Sequence, residues 1–201
     1  MKHSFSLSAF LSVLIPALIP ALLSALLVLP ASASAQSLTV ISASNHARNC
    51  SFAAENAALK LSPSREDVAT CTRALEFDHL SPRDHAATLV NRGILLAAHE
   101  SYQDALNDYN KAMTLRPELA EPYVGRGNLW FLAGRFDTAI DDYNKALDLM
   151  LGRSHLALFN RGLAYEKAGK AQEAIADYRQ ALALQPEFKL AQEKLAKLTT
   201  Q

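Results

Sequence analysis

The chain has 201 residues, half of them hydrophobic, with 20 basic and 20 acidic side chains, six histidines and two cysteines. Such a balance argues against the strongly basic surface by which a protein attracts nucleic acid or anionic lipid. Two cysteines also fall short of a structural zinc site unless further ligands join them.

The first 35 residues read as a secretory signal. Met1-Lys2-His3 gives a short basic start, an apolar run extends from Phe10 to Leu29, and Ala31-Ser-Ala-Ser-Ala35 supplies small residues in a cleavable pattern. The apolar run is long enough to span a bilayer, so a retained anchor is the competing outcome. Pro16, Pro20 and Pro30 weaken a continuous helix and favour cleavage after Ala35. No Cys follows Ala35 to carry a lipid, and no Arg pair precedes the apolar run. Losing Lys2 leaves the exported part within one charge of neutral, so no membrane contact is expected after cleavage.

Residues 36–48 are Ser-rich and without period, which predicts a flexible leader. Asn49 to Leu61 and Ser64 to Asp78 predict two short helices, separated at Ser62-Pro63. They carry the two cysteines, Cys50 and Cys71, which in an oxidising compartment are expected to form a disulfide. Closing that loop stabilises by about 3 kcal/mol on the chain-entropy account.

From residue 81 onward the chain is periodic. Asn91-Arg92-Gly93 recurs as Gly125-Arg126-Gly127 and Asn160-Arg161-Gly162, at spacings of 34 and then 35 residues. Ala105, Ala139 and Ala174 recur with it, as do Tyr109, Tyr143 and Tyr178, and Ala112, Ala146 and Ala181. Gly, Ala, aromatic and Ala in this order and period resemble the tetratricopeptide repeat (TPR), in the form found in exported bacterial envelope proteins. The resemblance implies an all-α solenoid of three helix pairs. Its repeats run over 81–119, 120–153 and 154–188, with a degenerate N-terminal cap over 49–80 and a C-terminal capping helix over 189–201. In the cap, Cys71 takes the place of the tyrosine. Ser81, Pro82 and Asp84 open the first repeat as an N-cap, a first helical residue and a capping acid. Gly134 and Gly169 end the first helices of the second and third repeats, whereas the first repeat has His99-Glu100-Ser101 at that place. Leu151-Gly152 adds a residue after the second repeat, which predicts a looser junction. After Pro186, Leu190, Ala191, Leu195 and Leu198 give the last helix one apolar face.

Arg92, Arg126 and Arg161 each stand sixteen residues before an aspartate, Asp108, Asp142 and Asp177. Recurrence in every copy predicts a structural Arg–Asp pair within each helix pair. The chemistry of catalysis finds no foothold. There is no H-E-x-x-H pair, G-x-S-x-G elbow or phosphate-binding loop, and the cluster Asp78, His79, Asp84 and His85 reads as solvated loop residues. Trp130 reads as core. No cofactor or metal is implied, and the chain is expected not to be an enzyme.

The resemblance implies a working surface on the concave face, lined by the first helix of each pair. By position this selects Val90, Ile94 and Ala97, then Glu121, Val124, Asn128 and Phe131, and then Phe159, Leu163, Glu166 and Lys167. It reads as an apolar groove for a helix or extended segment of a partner protein. Ala87, Val90, Ile94 and Leu156 stand where the chaperone-binding type places the Lys, Arg and Asn of its clamp, so a carboxylate clamp is not expected. The expected role is a periplasmic protein–protein adaptor. A self-associating homo-oligomeric module, or an accessory subunit of a cell-wall enzyme or peptidase, is the alternative.

Overall fold

A computed structural model describes residues 45–57, 63–150 and 154–200. The apolar leader, the Ala35 cleavage site and the Leu151-Gly152 junction lie outside these residues. The described residues form nine helices: α1 (Asn45–Ala57), α2 (Arg65–Phe77), α3 (Pro82–Ala98), α4 (Tyr102–Leu115), α5 (Glu121–Leu132), α6 (Phe136–Leu149), α7 (His155–Lys167), α8 (Ala171–Leu184) and α9 (Lys189–Thr199).

Local chemistry sets the helix ends. Ser64 and Asp67 form a reciprocal capping box at α2, with distances of 3.2 and 2.8 Å. Ser81 Oγ accepts from the Asp84 N–H at 3.1 Å and donates to the Asp84 carboxylate at 2.8 Å, while Pro82 needs no N–H partner. Ser154 caps α7 through the Ala157 N–H at 3.2 Å. The first helices of the three repeats, α3, α5 and α7, then end in the same doubly bonded turn. Ser101, Arg135 and Lys170 donate to the carbonyls of Leu96, Trp130 and Tyr165 at 2.9, 2.9 and 2.8 Å. This turn needs one left-handed residue, supplied by Gly134 (φ 71°), Gly169 (φ 77°) and, in the first repeat, Glu100 (φ 61°). The missing glycine therefore changes the strain and leaves the turn type intact.

The helices pair as hairpins, α3 with α4, α5 with α6 and α7 with α8, and each new first helix lies on the preceding pair. Buried apolar side chains fill the stack in neighbouring clusters, with Tyr143, Tyr178 and Phe159 among the largest fully buried ones. At the C-terminal end α9 buries Ala191 and rests Leu190, Leu195 and Leu198 on that core. Phe188, in the turn before α9, lies 4.9 Å from the Phe159 ring and 5.3 Å from that of His155.

The N-terminal pair departs from expectation in its start. α1 begins at Asn45, so residues 45–48 belong to the helix rather than to a leader over 36–48. The Asp78 carboxylate holds this end: its Oδ2 accepts the Ala47 N–H at 3.2 Å and its Oδ1 lies 3.1 Å from His46 Nδ1. Asp84 is accordingly a buried helix-end group and Asp78 a half-buried one whose side chain is only 8% exposed, which corrects their reading as solvated loop residues. Both α1 and α2 pack on α3 as a preceding repeat does. Cys50 and Cys71 are joined, fully buried and 4.7 Å apart at Cα. Their separation of 21 residues equals that from Thr88 to Tyr109, Pro122 to Tyr143 and Ala157 to Tyr178, so the disulfide stands in register with the tyrosine contacts.

A side chain at the equivalent Gly134 or Gly169 would meet nothing within 4 Å, so the left-handed backbone is the penalty expected at Glu100. Glu100→Gly is expected to raise stability by roughly 0.5–1 kcal/mol in urea titrations, since left-handed backbone costs a non-glycine residue about that much net of chain entropy. An unchanged or lowered midpoint would show that the side chain compensates the turn.

Candidate functional site

Three identical ionic forks build the frame on which any binding face must rest. The Arg92 Nε and Nη2 donate to the two oxygens of Asp108 at 2.7 and 2.8 Å. Arg126 grips Asp142 at 2.8 and 2.7 Å, and Arg161 grips Asp177 at 2.8 and 2.6 Å. The aspartate side chains keep only 3 to 8% of their surface. Two parallel charge-assisted bonds in each fork fix the first helix to the second of its own pair. Side-chain bonding to the carboxylate is the chief cause that holds all three guanidinium pKa values above the ordinary arginine value.

The third guanidinium nitrogen reaches backward. Nη1 of Arg92 donates to Thr72 Oγ1 at 3.2 Å, that of Arg126 to Asn110 Oδ1 at 2.8 Å, and that of Arg161 to Asn144 Oδ1 at 2.7 Å. One side chain thus sets both the pairing within a repeat and the register between repeats. Thr72, Asn110 and Asn144 carry a signal legible in retrospect, since each directly follows Cys71 or a repeat tyrosine. At the end of the series that place holds Arg179, and Leu195 stands where a next arginine would.

Beside each fork a tyrosine is wedged against glycine. A Cβ placed on Gly93 would lie 2.6 Å from the Tyr109 ring, on Gly127 2.8 Å from Tyr143, and on Gly162 2.6 Å from Tyr178. Tyr109 is also pressed from the next repeat by Gly125, at 2.5 Å from a hypothetical Cβ. Burial pushes the phenol pKa of Tyr109 and Tyr143 far above the ordinary tyrosine value.

The face expected to bind a partner is altered by this tight packing. Val90, Val124, Phe131, Phe159 and Leu163 are buried, between 0 and 8% exposed. Phe131 meets Phe136 at 5.5 Å between ring centres, and Phe159 meets Phe188 and Tyr178. These five side chains are core, which corrects the apolar lining read from sequence. The clamp-equivalent Ala87, Val90 and Leu156 are buried with them. What stays reachable is mixed: Ile94, Ala97, Glu121, Asn128 and Glu166 are half-buried, and Lys167 is exposed.

Two polar bridges cross this surface that sequence reasoning missed. Asn128 Oδ1 accepts from the Tyr143 hydroxyl at 2.7 Å and from Asn160 Nδ2 at 3.1 Å, linking the second and third repeats. Glu166 accepts from the Tyr178 hydroxyl at 2.9 Å, and Lys194 of α9 lies 3.1 Å from both of its oxygens. Glu121 sits at the start of α5, where desolvation raises its pKa against the lowering effect of its backbone hydrogen bonds. Trp130 is half-buried at the junction of two core clusters, with the Arg135 guanidinium 4.5 Å above its ring. Among the described residues no group of three His, Cys, Asp or Glu side chains is placed to hold a metal ion.

Two family models described as tetratricopeptide repeat match the chain, over residues 155–188 and 90–150. The DnaJ homolog subfamily C member 3 homolog of Dictyostelium discoideum is 44% identical over 69 residues, which are 34% of this chain and 12% of that protein. The chain therefore spans about an eighth of the length of that relative. Among solved structures, the Arabidopsis OM64 TPR domain is 26% identical, with a TM-score of 0.57 over 60% of this chain and 98% of its own. The first TPR of Spaghetti (RPAP3), bound to the HSP90 peptide SRMEEVD, is 27% identical with a TM-score of 0.57 over 59% and 93%. MamA from Desulfovibrio magneticus RS-1, at 18% identity, shares the fold with a TM-score of 0.62 over 79% and 86%.

Breaking one fork should cost far more than a surface ion pair. Arg126→Met leaves the Asp142 carboxylate, 8% exposed, without its countercharge. The expected loss is about 3 kcal/mol in chemical denaturation, and adding Asp142→Leu should recover most of it. A single-variant loss below about 1 kcal/mol would place the pair among ordinary surface bridges.

Proposed function

Because the chain belongs to the tetratricopeptide-repeat family, we propose that it is a non-enzymatic adaptor of the periplasm that holds a peptide or helix of a partner protein against the face formed by α3, α5 and α7. Its solenoid of helix pairs is an interaction scaffold in architecture, and the TPR domain of Spaghetti occupied by an HSP90 peptide supports a peptide as the bound element. The observation that carries the reading is the set of three Arg–Asp forks with their backward bonds. They hold three first helices in one fixed register, so a partner meets a surface already organised, and little ordering cost falls on the scaffold side.

That surface offers Ile94 and Ala97 as apolar contacts and Glu121, Asn128, Glu166 and Lys167 as polar ones. It suits an amphipathic segment rather than a wholly apolar one. A carboxylate clamp of the chaperone-binding kind has no cationic residues at Ala87, Val90, Ile94 or Leu156 from which to be built. Export is supported by the Met1–Ala35 pattern and by the buried Cys50–Cys71 disulfide, which suits an oxidising compartment.

Two measurements test the reading. Affinity capture from envelope extract with an Ile94→Glu/Lys167→Glu variant should recover at least tenfold less of any partner than the parent does, with the helical circular dichroism unchanged. Equal recovery would remove the α3–α5–α7 face from the reading. Mass spectrometry of the protein from the envelope fraction should find Gln36 as the first residue, and an intact Met1 there would replace export by anchoring.

A further inference from the structure

The three junctions between successive pairs are built alike, but one of them is left open. At each, the second helix of one pair faces the last turn of the next first helix. At the junction of α4 and α5, Trp130 fills the space and the Arg135 guanidinium lies over its ring at 4.5 Å. At that of α6 and α7, Tyr165 fills it, and Lys170 Nζ closes the rim on Asp137 Oδ1 at 2.7 Å. The residues in register with Trp130 and Tyr165, and with Arg135 and Lys170, are Leu96 and Ser101 at the junction of α2 and α3. Both are smaller, and a cleft of about 550 Å³ remains there.

The cleft has an apolar floor of Val68, Ala69 and Leu96 and a basic rim of Arg65 and Arg73. Arg65 takes the register position of Asp137, so the charge that closes the third junction is reversed in the first. Arg73 is paired with Glu66 at 2.5 Å, whereas Arg65 has no carboxylate partner among the described residues. His99 also lines the cleft, and its Nε2 is buried without a hydrogen-bond partner among the described residues. Among the described residues no acidic side chain lines the cleft.

We propose that this cleft is a second docking site, separate from the α3–α5–α7 face, for a partner segment in which an aromatic residue stands next to an Asp or Glu. The aromatic ring takes the place that Trp130 and Tyr165 fill at the other junctions. The neighbouring side-chain carboxylate supplies the countercharge that Arg65 lacks. The volume falls within the range that holds a ligand of this size, and a guanidinium at the rim recognises a carboxylate with directional bonds.

The test uses the isotope-labelled protein and two probes, the dipeptides acetyl-Trp-Glu-amide and acetyl-Trp-Lys-amide. The acidic probe should shift the amide resonances of Thr72, Leu96 and Ser101 and bind at least tenfold more tightly than the basic one. Leu96→Trp/Ser101→Arg, which copies the second junction, should abolish these shifts. Arg65→Glu, at an exposed position, tests the charge independently of packing and should remove or invert the preference. Shifts confined to other residues, equal binding of both probes, or binding that survives in the filled variant would each overturn the proposal. The Ile94→Glu/Lys167→Glu variant should bind the acidic probe as the parent does, so the cleft and the α3–α5–α7 face succeed or fail separately.

Discussion

A guanidinium with three bonded nitrogens is the constraint on which this array depends. Two nitrogens of Arg126 close its own hairpin on Asp142, and the third crosses to Asn110 of the repeat before it. A lysine at the same place would offer a point charge without the planar geometry, and could not hold both helices at fixed angles. Removing water from such a fork costs several kcal/mol per ion, so its value lies as much in specifying a single register as in net stability. The tyrosine–glycine wedges depend on that register. Tyr109 can be pressed between Gly93 and Gly125 only if the second and third hairpins meet at one height.

The N-terminal pair shows how the same register is kept when the aromatic is absent. The disulfide replaces a large ring by a short covalent link, at the same separation as Thr88 and Tyr109. Its chain-entropy contribution of about 3 kcal/mol acts by restricting the unfolded state, in the one helix pair whose second helix lacks the repeat tyrosine. Thr72 then receives Arg92 as Asn110 receives Arg126, so the first hairpin is bound to the array by the ordinary fork.

Much of this was legible in the sequence because it repeats. The spacing of Arg92, Gly93, Asp108 and Tyr109 through three copies specified the hairpins, their pairing partners and the glycine contacts. The start of α1 was not legible, because it is held by Asp78, which lies 32 residues beyond His46 and belongs to no period. The binding face misled for a different reason. The positions expected to line a groove are here occupied by Val90, Val124 and Phe159, which are buried in the packing of neighbouring helices, and burial of that kind leaves no mark on the repeat pattern. Asn128 and Glu166 sit at positions held by unlike residues in the other copies, so no repetition marked them as bridges. The turn at Glu100 lay between these cases: its position was evident, while its left-handed backbone emerges only from the bonds of Glu100 and Ser101 to the preceding turn.

Arg179 bears on how such a chain can change over time. It comes directly after Tyr178, as Asn110 and Asn144 come after their tyrosines, and it presents a cation in place of an amide oxygen. A tandem duplication that inserted another copy of residues 154–188 would set the new arginine against Arg179, two guanidiniums without an acceptor between them. Copying that last unit therefore calls for a second substitution at the same time, whereas copying residues 120–153 does not, because Asn144 already offers the oxygen that a following arginine takes. One side chain thus makes the repeats unequal as units for copying, although their helices are built alike.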